Sequence, residues 1–327
     1  ALAVTAGGAA FPLAPDTRDD HPGRFDLGGS ALSAVGIGAL VFAIIEGAER
    51  GLTHPITLAG AAVAVAALTA YVISGLRKDE PLLDPRLFAL RGFAAGSLTI
   101  VVQFMAVFGF FFVGLQFLQL VLGYSPLHSA VALVPVAVVV LPTSQLTPRL
   151  VGRVGLRPVM AGGLVALAAG MALMASLDAG ATYWGFLLGL IVAGVGIGLT
   201  SSTGTSAIVA SLPPEKQGVA SAANDATREV GAALGIAIMG SVYGSAYRDA
   251  LPPPPHALPA EAVHAIRDSA AAGIAVADRI GSAADPLLEA VRTAFMDGMS
   301  ASLTVAAVVV AAAAVAVWVR GPRRNAE

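Results

Sequence analysis

The chain has 327 residues, 56% of them hydrophobic and only 12% charged, with a mean hydropathy of +0.79. That composition excludes an ordinary soluble globular domain and points to an integral membrane protein. The net charge of -2 is uninformative in itself and nucleic acid is not an expected partner, while the absence of cysteine excludes disulfides, thiol nucleophiles and thiolate metal sites.

The opening stretch, Ala1 to Leu13, is apolar but too short to cross a bilayer, and it lacks the basic start of a signal peptide. It is expected to be the tail of a preceding span, so that residues 1–27 hold this tail and a connector and the chain is a fragment. Two candidate spans follow, 28–46 and 55–76, together a unit over 28–76. The connector 77–92 carries charges of both signs and Pro81 and Pro85, and it is read as a domain boundary. From Gly92 to Pro148, 57 residues contain no Asp, Glu, Lys or Arg, with the turn-like Gly123-Tyr124-Ser125-Pro126 near their middle. A helix needs about 20 apolar residues to cross a hydrocarbon core of about 30 Å, so this run predicts a hairpin of two spans, 93–121 and 127–148. Further spans are predicted at 158–177, 182–208, 219–246 and 298–319. Between the last two, residues 248–297 begin at Pro252 to Pro255 and continue as mixed Ala-rich sequence, which predicts an external loop with one or two short helices. Residues 321–327 form a short tail.

Alternating these eight spans gathers thirteen Lys and Arg on one side, Arg91, Arg149 and Arg320 among them, against five on the other. The bias of cations towards the inside makes the richer side cytoplasmic, with both ends of the chain there and the protein in the cell membrane. The nineteenth cation, Arg228, falls inside a span.

Glycines four apart, Gly185/Gly189 and Gly194/Gly198 in one span and Gly231/Gly235 and Gly240/Gly244 in the next, provide flat strips for close helix packing or for sliding. Pro135 and Pro142 invite a kink in the fourth span. Asn224, Asp225, Arg228 and Glu229 are the residues most out of place, because ionisable groups in a span face a partner or a water-filled path. Their spacing allows a carboxylate, an amide and a guanidinium on one face. Three readings stay open: a solvated helix start, a structural ion pair between Asp225 and Arg228, and a proton- or substrate-linked site. Gln103, Gln116 and Gln119 in the third span are further candidates for lining a cavity or bonding across helices, whereas the hydroxyls from Thr200 to Ser206 are expected to bond their own backbone. The five histidines lack the one-face spacing of a metal site. Phosphate-loop, dinucleotide and nucleophile-elbow motifs are missing, so neither an enzyme nor a bound cofactor is expected.

Leu115 to Pro126, followed by Ala130 to Pro135, resembles the hairpin of the ninth and tenth spans in the fourteen-span drug:proton antiporters of the major facilitator superfamily. Gly218 to Ser221 with Asn224, Arg228, Gly231 and Gly235 resembles the opening of that family's thirteenth span, and Ala294 to Met299 the start of its last. Arg149, Arg153, Gly155 and Arg157 match the weaker copy of the superfamily's inner-loop motif, with Gly152 where the better copy carries Asp. The resemblance implies an all-α polytopic membrane protein of about eight spans, two linker helices plus a six-helix C-terminal half over 93–320. It implies proton-coupled efflux of hydrophobic drugs or antibiotics, with small molecules, protons, the lipid bilayer and a missing N-terminal six-helix half as partners. An exporter of one endogenous metabolite, and a non-transporting remnant or subunit, are the alternatives.

Overall fold

The computed structural model describes residues 26–78, 81, 83–253, 258–281 and 284–322. The reading of Ala1 to Leu13 as the tail of an earlier span lies outside the described residues, as do Arg18, Arg24, Arg323 and Arg324. Eight helices among the described residues are long and apolar enough to cross a membrane, and the protein is an all-helical, multi-pass membrane protein.

Helices α1 (Leu27–Arg50) and α2 (Pro55–Arg77) pack against each other along Gly36 and Gly60, which face Leu68 and Phe42. Asp26 caps the first turn of α1 through Gly29 at 2.7 Å and also accepts from Lys78 Nζ at 2.6 Å, which ties the two helices together at one end. A 3-10 turn, Pro85–Ala89, leads into α3 (Arg91–Gln116), which continues as a π-helical turn, Phe117–Val121. The hairpin bend follows as read: Gly123 adopts φ +69°, a conformation that suits glycine, and Ser125 caps α4 (Pro126–Ala132) by accepting from the His128 amide.

A break at Leu133 separates α4 from α5 (Val134–Val154). Pro135 then starts α5, where its missing N–H costs nothing, so the chain breaks ahead of this proline and does not kink at it. The Val136 amide bonds Leu133, and the freed Ala132 carbonyl accepts from the Tyr183 hydroxyl at 2.9 Å. Pro142 and Pro148 do lie inside α5.

Gly155, at φ +95°, makes the turn into α6 (Leu156–Ala175), which pairs with α7 (Tyr183–Ala210). Helix α8 (Gln217–Ala250) packs on α3, and its far half also holds α1, through Ser241 to the Ile44 carbonyl and Arg248 to the Ala48 carbonyl at 3.1 Å. Two short helices, α9 (Ala260–Asp268) and α10 (Ala270–Ile280), pack on the ends of α8 and α11, with the Tyr247 hydroxyl donating to the Ile266 carbonyl at 2.7 Å.

The last helix, α11 (Asp285–Arg320), begins at Asp285 and not at 298, so residues 285–297 are helical where the sequence suggested loop. The reason is amphipathicity. Val291, Ala294, Phe295 and Met296 are buried, while Glu289 and Asp297 face outwards. A helix projecting past the hydrocarbon needs only one apolar face.

The core lies among α3, α6, α7, α8 and α11, and the surface is apolar: Trp184, Leu188, Val308 and Val315 are all exposed. Glycine makes this density possible. Gly231 and Gly235 of α8 lie directly on the backbone of α3, and Gly189 and Gly196 of α7 on that of α6. Gly194 and Gly198 face α5. Gly189, Gly194, Gly198, Gly231 and Gly235 thus pack against other helices, whereas Gly244 meets only Arg248 of its own helix.

Candidate functional site

Three helices meet around one polar cluster. Gln103 of α3 is 2% exposed, and its amide donates to Ser201 Oγ of α7 at 2.6 Å. Four residues along α7, Thr205 donates to Asn224 Oδ1 of α8 at 3.1 Å and accepts from Arg228 Nη2 at 3.3 Å. The Arg228 guanidinium also lies over the Phe104 ring, 5.4 Å from its centroid. Phe104 follows Gln103 directly, so α3 contributes an amide and an aromatic face at the same level.

Spacing explains the convergence. Ser201 and Thr205, like Asn224 and Arg228, are four apart and share a helix face. Counted from the ends at Arg91, Ala210 and Gln217, the cluster lies about 8–18 Å along the three helices. Asn224 is buried and Arg228 half-buried, so these two are packed between helices, whereas Asp225 and Glu229 are exposed.

The Asp225–Arg228 ion pair, one of the three readings left open, is not formed among the described residues. Asp225 and Glu229 are exposed, and among the described residues neither pairs with Arg228. Three residues along a helix turn about 300°, which carries Asp225 past the α7-facing side on which Asn224 and Arg228 sit. Arg228 Nε is buried without a partner, as is Gln103 Oε1. Buried polar atoms are satisfied in most native structures, by protein groups or by ordered water.

The other candidates separate. Gln116 bonds its own helix, donating to the Phe112 carbonyl at 2.7 Å, and Gln119 is exposed on the π-helical turn, so the structure brings neither to the cluster. Arg149 and Arg153 are exposed near the end of α5, Gly155 makes the turn, and Arg157 lies over Trp318 of α11 at 5.3 Å. Phe104 was missed by sequence reasoning, and Ser201 and Thr205, expected to bond their own backbone, instead reach other helices. Thr200 and Thr203 do bond their own backbone, at 2.7 Å each, whereas Ser201 and Thr205 reach across. Ser201 and Thr205 share a helix face through their four-residue interval, but Ser202 and Ser206 have the same interval, so spacing alone does not select the pair.

The family described as Major Facilitator Superfamily matches residues 28–236, a stretch that contains the whole cluster. The Multidrug efflux pump LfrA of Mycolicibacterium smegmatis is 31% identical over 314 residues, covering 94% of this chain and 61% of that protein. The Multidrug resistance protein Stp of Mycobacterium tuberculosis is 33% identical over 222 residues, 68% of this chain and 41% of that protein. The Tetracenomycin C resistance and export protein of Streptomyces glaucescens is 31% identical over 328 residues, 95% of this chain and 60% of that protein. The chain spans less than two thirds of the length of each.

Proposed function

The chain belongs to the Major Facilitator Superfamily, and from that premise we propose that it is the C-terminal part of a fourteen-span exporter that expels hydrophobic drugs or antibiotics in exchange for protons. On this reading α1 and α2 are the linker spans, and α3 to α11 form one six-helix half. The carrying observation is the face of α8 that holds Asp225 and Glu229, four residues apart and both exposed on a helix long and apolar enough to cross a membrane. Carboxylates on a membrane-crossing helix do not face hydrocarbon; they face water or another part of the protein. A second six-helix half across this face would complete a central cavity, with access alternating as one half rocks on the other.

Arg228 stands behind that face without a carboxylate, held by Thr205 and Phe104. In the proposed mechanism its counter-charge comes from the other half or from the transported molecule. Asp225 and Glu229 are the proton-carrying candidates of this half. The names of the relatives support efflux as the direction of transport. Everted membrane vesicles containing the full-length protein test the reading: an imposed proton gradient is expected to drive uptake of a hydrophobic cationic dye, and a protonophore to collapse it. Gradient-independent uptake would remove the antiport mechanism.

The orientation proposed is the one with the cation-rich end of the bundle in the cytoplasm. Cysteines placed at the exposed residues Ala179 and Ala260 are expected to react with an impermeant thiol reagent added to intact cells, and one at Gly152 is not. The native chain has no cysteine, so the background is empty. Labelling at Gly152 with silence at the other two would invert the topology.

A further inference from the structure

We propose that an anionic phospholipid binds where α3 begins and α11 ends, its phosphate between Arg91 and Arg320 and an acyl chain along the seam of the two helices. A cleft of about 510 Å³ opens there, and its lining includes both arginines together with Phe88, Leu98, Val317 and Val319. Arg91 is the first residue of α3 and Arg320 the last of α11, so both guanidiniums stand at the same rim. Neither is in an ion pair among the described residues. Two unpaired like charges on one cleft repel each other, and an anion between them turns both terms favourable. The guanidinium fork suits a phosphate, which it can grip with two parallel hydrogen bonds.

The wall decides the rest of the ligand. Leu98 lies about 10 Å along α3 from Arg91, and Val317 is within one turn of the end of α11, so the cleft runs from the charged rim towards hydrocarbon depth over apolar side chains. A free phosphate would satisfy the arginines and leave this wall unfilled. An anionic amphiphile satisfies both, and a membrane surface supplies such lipids at high local concentration. The inference rests only on these spans lying in a bilayer; it requires neither transport activity nor a particular orientation.

Native mass spectrometry of the purified chain tests it, with phosphatidylglycerol and phosphatidylcholine of identical acyl chains as probes. The parent is expected to retain phosphatidylglycerol in preference. The double variant Arg91→Gln/Arg320→Gln should lower that preference about fivefold for each cation removed. Arg91→Lys/Arg320→Lys should keep most of it, and Lys216→Gln, which removes an exposed cation outside the cleft, should leave it unchanged. Excess glycerol phosphate should not displace the lipid. Equal retention of the two lipids by the parent, an unchanged preference in the double glutamine variant, or displacement by glycerol phosphate would each overturn the proposal. If the glutamine variant fails to fold, the parent's preference and the glycerol phosphate competition still decide.

Discussion

Replacing Arg228 by Ala in the full-length protein is expected to abolish efflux and to lower the amount of folded protein, while Asp225→Asn and Glu229→Gln fold like the parent. Arg228 donates a charge-assisted hydrogen bond to Thr205, an interaction worth about 1.5–3 kcal/mol, and its stacking on Phe104 adds about 0.5–2 kcal/mol. The two carboxylates have no ion-pair partner in the described residues to lose, and they are exposed. Their neutral variants should instead weaken the response of transport to the proton gradient. The arrangement also reverses an expectation that an Asp225–Arg228 pair would carry. Removing both charges, in Asp225→Asn/Arg228→Gln, should fold no better than Arg228→Gln alone, because no buried carboxylate is stranded by the single change. Size-exclusion profiles of tagged protein and dye efflux from the same cells check both points. Rescue by the double replacement would restore the ion-pair reading, and an Arg228→Ala protein that folds and transports normally would remove the cluster from the mechanism.

A second large effect is expected at the contact between α3 and α8. A methyl group on Gly231 would meet the Val101 carbonyl oxygen, and one on Gly235 the Met105 carbonyl oxygen. Both obstacles are backbone, which cannot rotate away, so Gly231→Ala and Gly235→Ala should each cost at least the about 1–3 kcal/mol typical of overpacking. Gly109→Ala, across the same interface, meets the Met239 side chain, which can move, and should cost less. Gly162→Ala and Gly218→Ala have nothing within 4 Å and should be neutral. Thermal unfolding in detergent ranks the five variants. If Gly235→Ala melts with Gly162→Ala, the helices are not in backbone contact as described.

The spans could be read from the sequence because an uncharged run of 57 residues has few physical outcomes, and Gly123 to Pro126 gave the bend its position. The start of α11 could not. Its first turns carry Glu289, Arg292 and Asp297, which interrupt any hydropathy window, and only tertiary contacts reveal that the opposite face is buried. The break at Leu133 was partly readable through Pro135. Its exact place depends on the Tyr183 hydroxyl, some fifty residues away, which takes up the freed Ala132 carbonyl. In the site, Gln103, Asn224 and Arg228 stood out as polar groups in apolar helices. Partner choice did not, because it is set by the rotation of α7 against α8. That rotation places Thr205 beside Arg228 and leaves Asp225 outside.

The measurement that tests the account most directly is complementation between halves. Residues 1–327 expressed alone in cells lacking other pumps are expected to insert in the membrane and give no proton-coupled dye efflux, since in the proposed mechanism this chain supplies one wall of the cavity and a second half the other. Co-expression with the first six spans of a full-length homologue should restore efflux, and Arg228→Ala should abolish what is restored. Robust proton-coupled efflux from residues 1–327 alone would contradict the account, because the chain would then complete the cavity without a second half.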